Sequence, residues 1–135
     1  TLAYYGCASA LLGRDSKDAG TMFETAIHGL RTLNKAVNRD PDNPHFRVLR
    51  GFLTSSLPES FFHMTESAIE DFEFAMAACQ QDPGRLPQDL YWRMLHELAS
   101  VYERINQKDK AAPLWSELSA NCDDPRYQNL AKSKL

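Results

Sequence analysis

Three regularly spaced Asp-Pro pairs constrain the fold of this chain more than any other feature. They occupy residues 40–41, 82–83 and 124–125, so successive aspartates are 42 residues apart in both intervals. Proline lacks an amide donor and restricts the residue before it, so each pair predicts the end of a helix. Repetition over this distance indicates an array of helical units.

The segments between these pairs carry apolar residues at helical spacing and are joined by loops of a few residues. Alternating strand patterns are absent from the sequence. We therefore expect one all-α domain over residues 1–135. The predicted helices cover about 2–13, 18–40, 45–54, 60–81, 88–105 and 109–120, which gives hairpins at about 2–40, 45–82 and 88–121 and a cap at 125–135.

Composition excludes several classes of protein. Apolar residues make up 43% of the chain, charged residues 24%, and the net charge is -3, so neither disorder nor nucleic-acid binding is expected. Apolar runs are far shorter than the ~20 residues that span a bilayer. The chain begins at Thr1, inside a helical pattern and without an initiator Met, so we expect a fragment or processed form and leave its compartment open.

Sequence motifs for chemistry are also missing. His96-Glu97 begins like a metalloprotease helix, but Ser100 stands where the second histidine is required. The other histidines have no metal-ligand spacing, and the glycines form no phosphate-binding loop. The three cysteines are far apart and odd in number, which fits neither a disulfide framework nor a zinc ribbon. We expect no metal, no cofactor and no enzymatic activity.

An acidic block extends from Gly51 to Gly84, where six Asp or Glu residues occur without any Lys or Arg. It is interpreted as the solvated side of a helix, since its glutamates lie opposite an apolar stripe. The alternative is an attraction for a basic partner. Among the aromatic residues, Tyr91 and Trp115 are predicted to be core, and Trp92 to be half exposed.

Residues 92–125 resemble one tetratricopeptide repeat. The positions that carry the resemblance are Leu95, Leu98, Ala99 and Tyr102 on the first helix and Ala111, Trp115 and Leu118 on the second. The two earlier hairpins match more loosely, and a HEAT or armadillo-like array is the alternative. The resemblance implies a right-handed α-α superhelix, or solenoid, of about three hairpins with a C-terminal capping helix.

Function follows from the same resemblance, which implies an interaction scaffold that binds a protein or peptide in a concave groove. The groove positions are Arg93, His96, Ser100, Glu103 and Arg104 in the last hairpin, and His45 and Phe52 in the middle one. Family members that bind a chaperone's terminal carboxylate have Lys and Asn where this chain has His96 and Ser100, so that subtype is not expected. The partner's identity stays open.

Two alternatives remain. A self-associating module would use the apolar ends of the array, near Leu2 and Tyr5 or near Tyr127 and Leu130. A carrier of a small ligand or lipid would use a pocket between hairpins, lined by Phe61, Phe62 and Met64.

Overall fold

Six α-helices and no strand occur in residues 19–57 and 64–135, the part of the chain that this computed structural model describes. The predicted all-α class is confirmed. Contacts divide the chain into two compact units, Thr1–Asp82 and Pro83–Leu135, with the boundary inside the second Asp-Pro pair. The predicted helix at 2–13, with Leu2 and Tyr5, lies outside the described residues.

The first unit contains α1 (Ala19–Arg39), α2 (Pro44–Ser56) and α3 (Thr65–Gln81). Asn43 caps α2, because its side-chain oxygen accepts hydrogen bonds from the backbone N–H groups of His45 and Phe46 at 2.9 and 3.2 Å. Pro44 suits the first helical position, where an amide N–H has no partner within the helix. Between α1 and α2 lies a cluster of buried apolar residues, namely Leu33, Ala36, Leu49 and Leu53.

Helices α2 and α3 come into close contact at Gly51. A Cβ atom at this position would lie 2.6 Å from Cε1 of Phe72, well inside van der Waals distance. The Phe72 ring is fully buried and packs against Phe52, with 5.6 Å between ring centroids. Glycine is therefore the residue that lets these two helices approach.

A buried ion pair also joins α2 to α3. The Asp71 side chain is 1% exposed and accepts hydrogen bonds from Nε and Nη2 of Arg50, both at 2.8 Å. Nη1 of Arg50 donates to Asn34 on α1 at 3.1 Å, and Arg47 lies 3.4 Å from the same carboxylate. Hydrogen bonding to Asp71 raises the pKa of Arg50. The Arg50 guanidinium thus joins all three helices of the unit.

The acidic block is only partly a solvated face. Glu66, Glu70 and Glu73 are exposed, as predicted, whereas Asp71 is buried. The start of α3 also differs from the prediction, which placed it near Ser60. The helix begins at Thr65, where a run rich in Ala and Glu, both strong helix formers, begins. Residues 58–63, including Phe61 and Phe62 of the predicted carrier pocket, lie outside the described residues.

The second unit contains α4 (Gln88–Arg104), α5 (Lys108–Asn121) and α6 (Pro125–Lys134). The turn after α4 passes through Asn106 at φ 61°, a left-handed conformation that asparagine tolerates well. Asp124 caps α6 by accepting a hydrogen bond from the Arg126 N–H at 2.9 Å, and Pro125 takes the first position. The third Asp-Pro pair therefore starts a helix as well as separating two.

The core of the second unit follows the helical spacing. All seven residues that carry the tetratricopeptide resemblance are buried, namely Leu95, Leu98, Ala99, Tyr102, Ala111, Trp115 and Leu118. The prediction for Trp92 is wrong, because this side chain is 5% exposed, while Tyr91 is only half-buried. Trp92 stands three residues before Leu95 and seven before Ala99, so it extends their buried stripe toward the start of α4.

Candidate partner-binding face

The predicted groove residues of the last hairpin all lie on α4 and are called the α4 face: Arg93, His96, Ser100, Glu103 and Arg104. Arg93 and Arg104 are exposed, and the other three residues of the face are half-buried. Residues seven apart return to nearly the same side of a helix. Arg93 and Ser100 therefore form one row along α4, beside a second row of His96 and Glu103.

His96 lies among aromatic rings from two other helices. Its imidazole meets the Trp115 ring of α5 edge-on at a centroid distance of 5.7 Å and the Tyr127 ring of α6 at 5.1 Å. Its Nδ1 is 3.7 Å from Oε1 of Glu97, too far for a hydrogen bond but within ion-pair distance when the ring is protonated. The pKa of Glu97 is lowered, chiefly by this imidazole and further by Arg93 and Arg104.

Glu103 lies in the same row of α4 as His96 and is bonded to side chains of α5 and α6. Its Oε1 accepts a hydrogen bond from Nε1 of Trp115 at 2.9 Å, and its Oε2 accepts one from Nζ of Lys134 at 3.3 Å. The Lys134 ammonium also lies 5.7 Å from the centroid of the Trp115 ring, within cation–π range. His96, Glu103, Trp115, Tyr127 and Lys134 together form what is called the aromatic seam.

The seam places α4 and α6 in register. Tyr127 contacts His96 and Lys134 contacts Glu103, and within each helix the two contact residues are seven positions apart. Two matching steps of seven residues mean that the helices run in the same direction along this contact. Sequence reasoning did not find Lys134 and assigned Tyr127 to an apolar end. The seven-residue spacing of Tyr127 and Lys134 was the one signal in the sequence that both residues share a face of α6.

The two groove residues predicted for the middle hairpin belong to the first unit. His45 is half-buried at the start of α2, and burial lowers its pKa. Phe52 is buried against Phe72, so most of its ring lies in the core of that unit. The predicted positions thus differ in their surroundings: those on α4 keep exposed or half-buried polar groups, and Phe52 does not.

Comparison with protein-family models, with curated protein sequences and with solved structures gives no match for this chain. Within residues 19–57 and 64–135, no group of three or more His, Cys, Asp or Glu side chains is arranged to hold a metal ion. None of the helices described there is both long enough and apolar enough to cross a membrane.

Proposed function

We propose that the second unit binds a protein or peptide partner on the α4 face, and that the chain is an interaction scaffold and not an enzyme. The observation that carries the proposal is the row of exposed arginines and half-buried polar groups on α4, beside the half-buried Tyr127 ring of α6. Arg, Trp and Tyr are the residue types that contribute most to protein interfaces. Polar groups at the edge of such a surface supply orientation and specificity.

Preorganisation supports the same proposal. His96 is held between two rings, and Glu103 is held by an indole N–H and an ammonium group. Side chains that are already ordered lose little conformational entropy when a partner arrives. Arg93 and Arg104 present guanidinium groups, which donate paired hydrogen bonds to carboxylates or carbonyls of a partner.

The proposal includes the arrangement that the tetratricopeptide resemblance implies, a right-handed superhelix of about three hairpins with a capping helix and a concave groove. The buried pattern of the second unit supports it, since α4 and α5 pack with small residues, Ala99 and Ala111, in their core. A crystal structure that shows a closed bundle without a concave groove would contradict this part.

The test compares two triple variants that remove the same residue types. One is Arg93→Ala, His96→Ala, Arg104→Ala on the α4 face, and the control is His28→Ala, Arg31→Ala, Arg39→Ala on α1. Both must keep the helical circular dichroism of the wild type. We expect affinity capture from native cell extract to retain a protein with wild type and control and to lose it with the α4 variant.

Capture is linked to the face by a photo-cross-linking residue at position 100. We expect the captured protein to become attached there, because Ser100 lies between the two arginines. A protein that is captured equally by both triple variants, or that never cross-links at position 100, would count against the α4 face.

Self-association is a second candidate, favoured by one observation. Leu130 and Leu135 are 37% and 66% exposed at the end of the chain, where a second copy could cover them. Sedimentation velocity over a hundredfold range of concentration tests this. Self-association is supported if the mass of the wild type rises with concentration while the double variant Leu130→Ser, Leu135→Ser stays monomeric.

A further inference from the structure

Helix α6 already occupies part of the α4 face, since Tyr127 covers His96 and Lys134 binds Glu103. We propose that α6 is an intramolecular stand-in for the partner, and that the partner presents a helix with the same pattern and displaces α6. This inference rests on the proposed function of the α4 face. The pattern consists of an aromatic residue, a small residue four positions later and a Lys three positions after that.

The pattern is read directly from the contact side of α6. Tyr127, Ala131 and Lys134 stand at positions i, i+4 and i+7, which form one stripe along a helix. Ala131 is fully buried, so its small size allows α6 to lie close against the unit. The aromatic ring meets the imidazole at one end of the stripe, and the ammonium meets Glu103 and Trp115 at the other.

The contact of α6 with α4 is suited to displacement. Of its ten residues, all of which the structure describes, Ala131 is the one that is buried, whereas α4 buries seven of its seventeen. An alanine side chain removes little apolar surface from water. The side chains of Lys134 and Glu103 remain 39% and 24% exposed, and ion pairs with such access to water contribute little.

Packing against α5, where Gln128 Nε2 donates a hydrogen bond to the Ser119 carbonyl at 3.2 Å, and tethering together place α6 on the face. Residues 122–124 alone separate it from α5, so α6 is held at high effective concentration beside its site. An untethered helix with the same stripe must compete with this local copy. Such a helix can bind the face when the contact residues of the tethered α6 are removed.

The experiment uses the full chain and a fluorescein-labelled peptide of residues 123–135 as the probe. The test variant is Tyr127→Ala, Lys134→Ala, which removes both contact residues of the tethered helix. The control is Asn129→Ala, Lys132→Ala, which changes two exposed residues of α6 and also removes one lysine. We expect fluorescence anisotropy to show at least tenfold tighter binding to the test variant than to wild type or control.

A second peptide, with Ala in place of Tyr127 and Lys134, defines the specificity. We expect it to lose that gain. The inference is overturned if the two peptides bind equally well. It is also overturned if the probe binds wild type, test variant and control with equal affinity, or binds none of them. We also expect hydrogen exchange to become faster in α6 of the test variant while α4 and α5 stay protected. Continued protection of α6 would refute the inference as well.

The outcomes separate this inference from the proposed function. If the capture experiment loses its protein with the α4 variant while the peptide gains nothing from the release of α6, the α4 face binds a partner of another pattern. If the peptide gains affinity for the test variant but capture is insensitive to the α4 residues, α6 is a displaceable cap and the scaffold proposal fails.

Discussion

Removal of Arg50 should destabilise the first unit more than removal of the neighbouring Arg47. Arg50→Met leaves the Asp71 carboxylate, which is 1% exposed, with Arg47 at 3.4 Å as its remaining ion-pair partner among the described residues. A carboxylate that is taken out of water without a close counter-ion loses solvation that nothing replaces. The expected loss therefore reflects a buried charge that Arg47 compensates only in part.

The magnitude follows from the geometry. Breaking a buried ion pair from one side costs about 3–5 kcal/mol. Arg50 keeps 17% exposure and Arg47 stays nearby, so we expect the lower end, about 3 kcal/mol. The double variant Arg50→Met, Asp71→Leu removes both charges and should lose much less than the sum of the single changes. Arg47→Met, which removes the longer and more exposed pair, should lose under about 1 kcal/mol.

Urea denaturation followed by circular dichroism measures these free energies. Hydrogen exchange of α2 and α3 reports the first unit directly, while fluorescence reports the second unit, because both tryptophans, Trp92 and Trp115, belong to it. A loss below about 1 kcal/mol for Arg50→Met, or strict additivity in the double variant, would refute the reasoning.

Two further predictions concern packing and pH. Gly51→Ala should lower stability by about 1–3 kcal/mol in thermal unfolding, because its Cβ would meet the buried Phe72 ring at 2.6 Å, and adding Phe72→Leu should recover part of the loss. Glu97 has a pKa below its ordinary value of 4.5, so its contribution to stability is present above pH 4.5 and is lost as the pH falls through the lowered pKa. Melting temperatures of Glu97→Gln should therefore fall less steeply than those of wild type below pH 4.5, and parallel curves would contradict this.

Much of the local structure follows from the sequence. Asn43-Pro44 and Asp124-Pro125 each combine a capping side chain with a proline at the first helical position, and both start helices in the structure. The apolar spacing of residues 95–118 predicted the buried side of α4 and α5. Signals of this kind are readable because they act within one or two helical turns.

Residues of the same type were harder to distinguish. Glu70 and Asp71 stand side by side in the acidic block, yet one is exposed and the other is 1% exposed beneath Arg50. The pairing joins residues 21 positions apart, and no local pattern marks it. Trp92 was predicted to be half exposed for a similar reason, because its burial depends on what packs against the first turn of α4.

The sequence alone thus determined most of the described helices and their ends, since hydrogen bonding, capping and periodicity are local. The tertiary structure decided that His96 and Glu103 would be covered by α6, 31 residues farther along the chain. Such contacts depend on which faces two helices turn toward each other after folding, and packing across the whole unit sets that orientation.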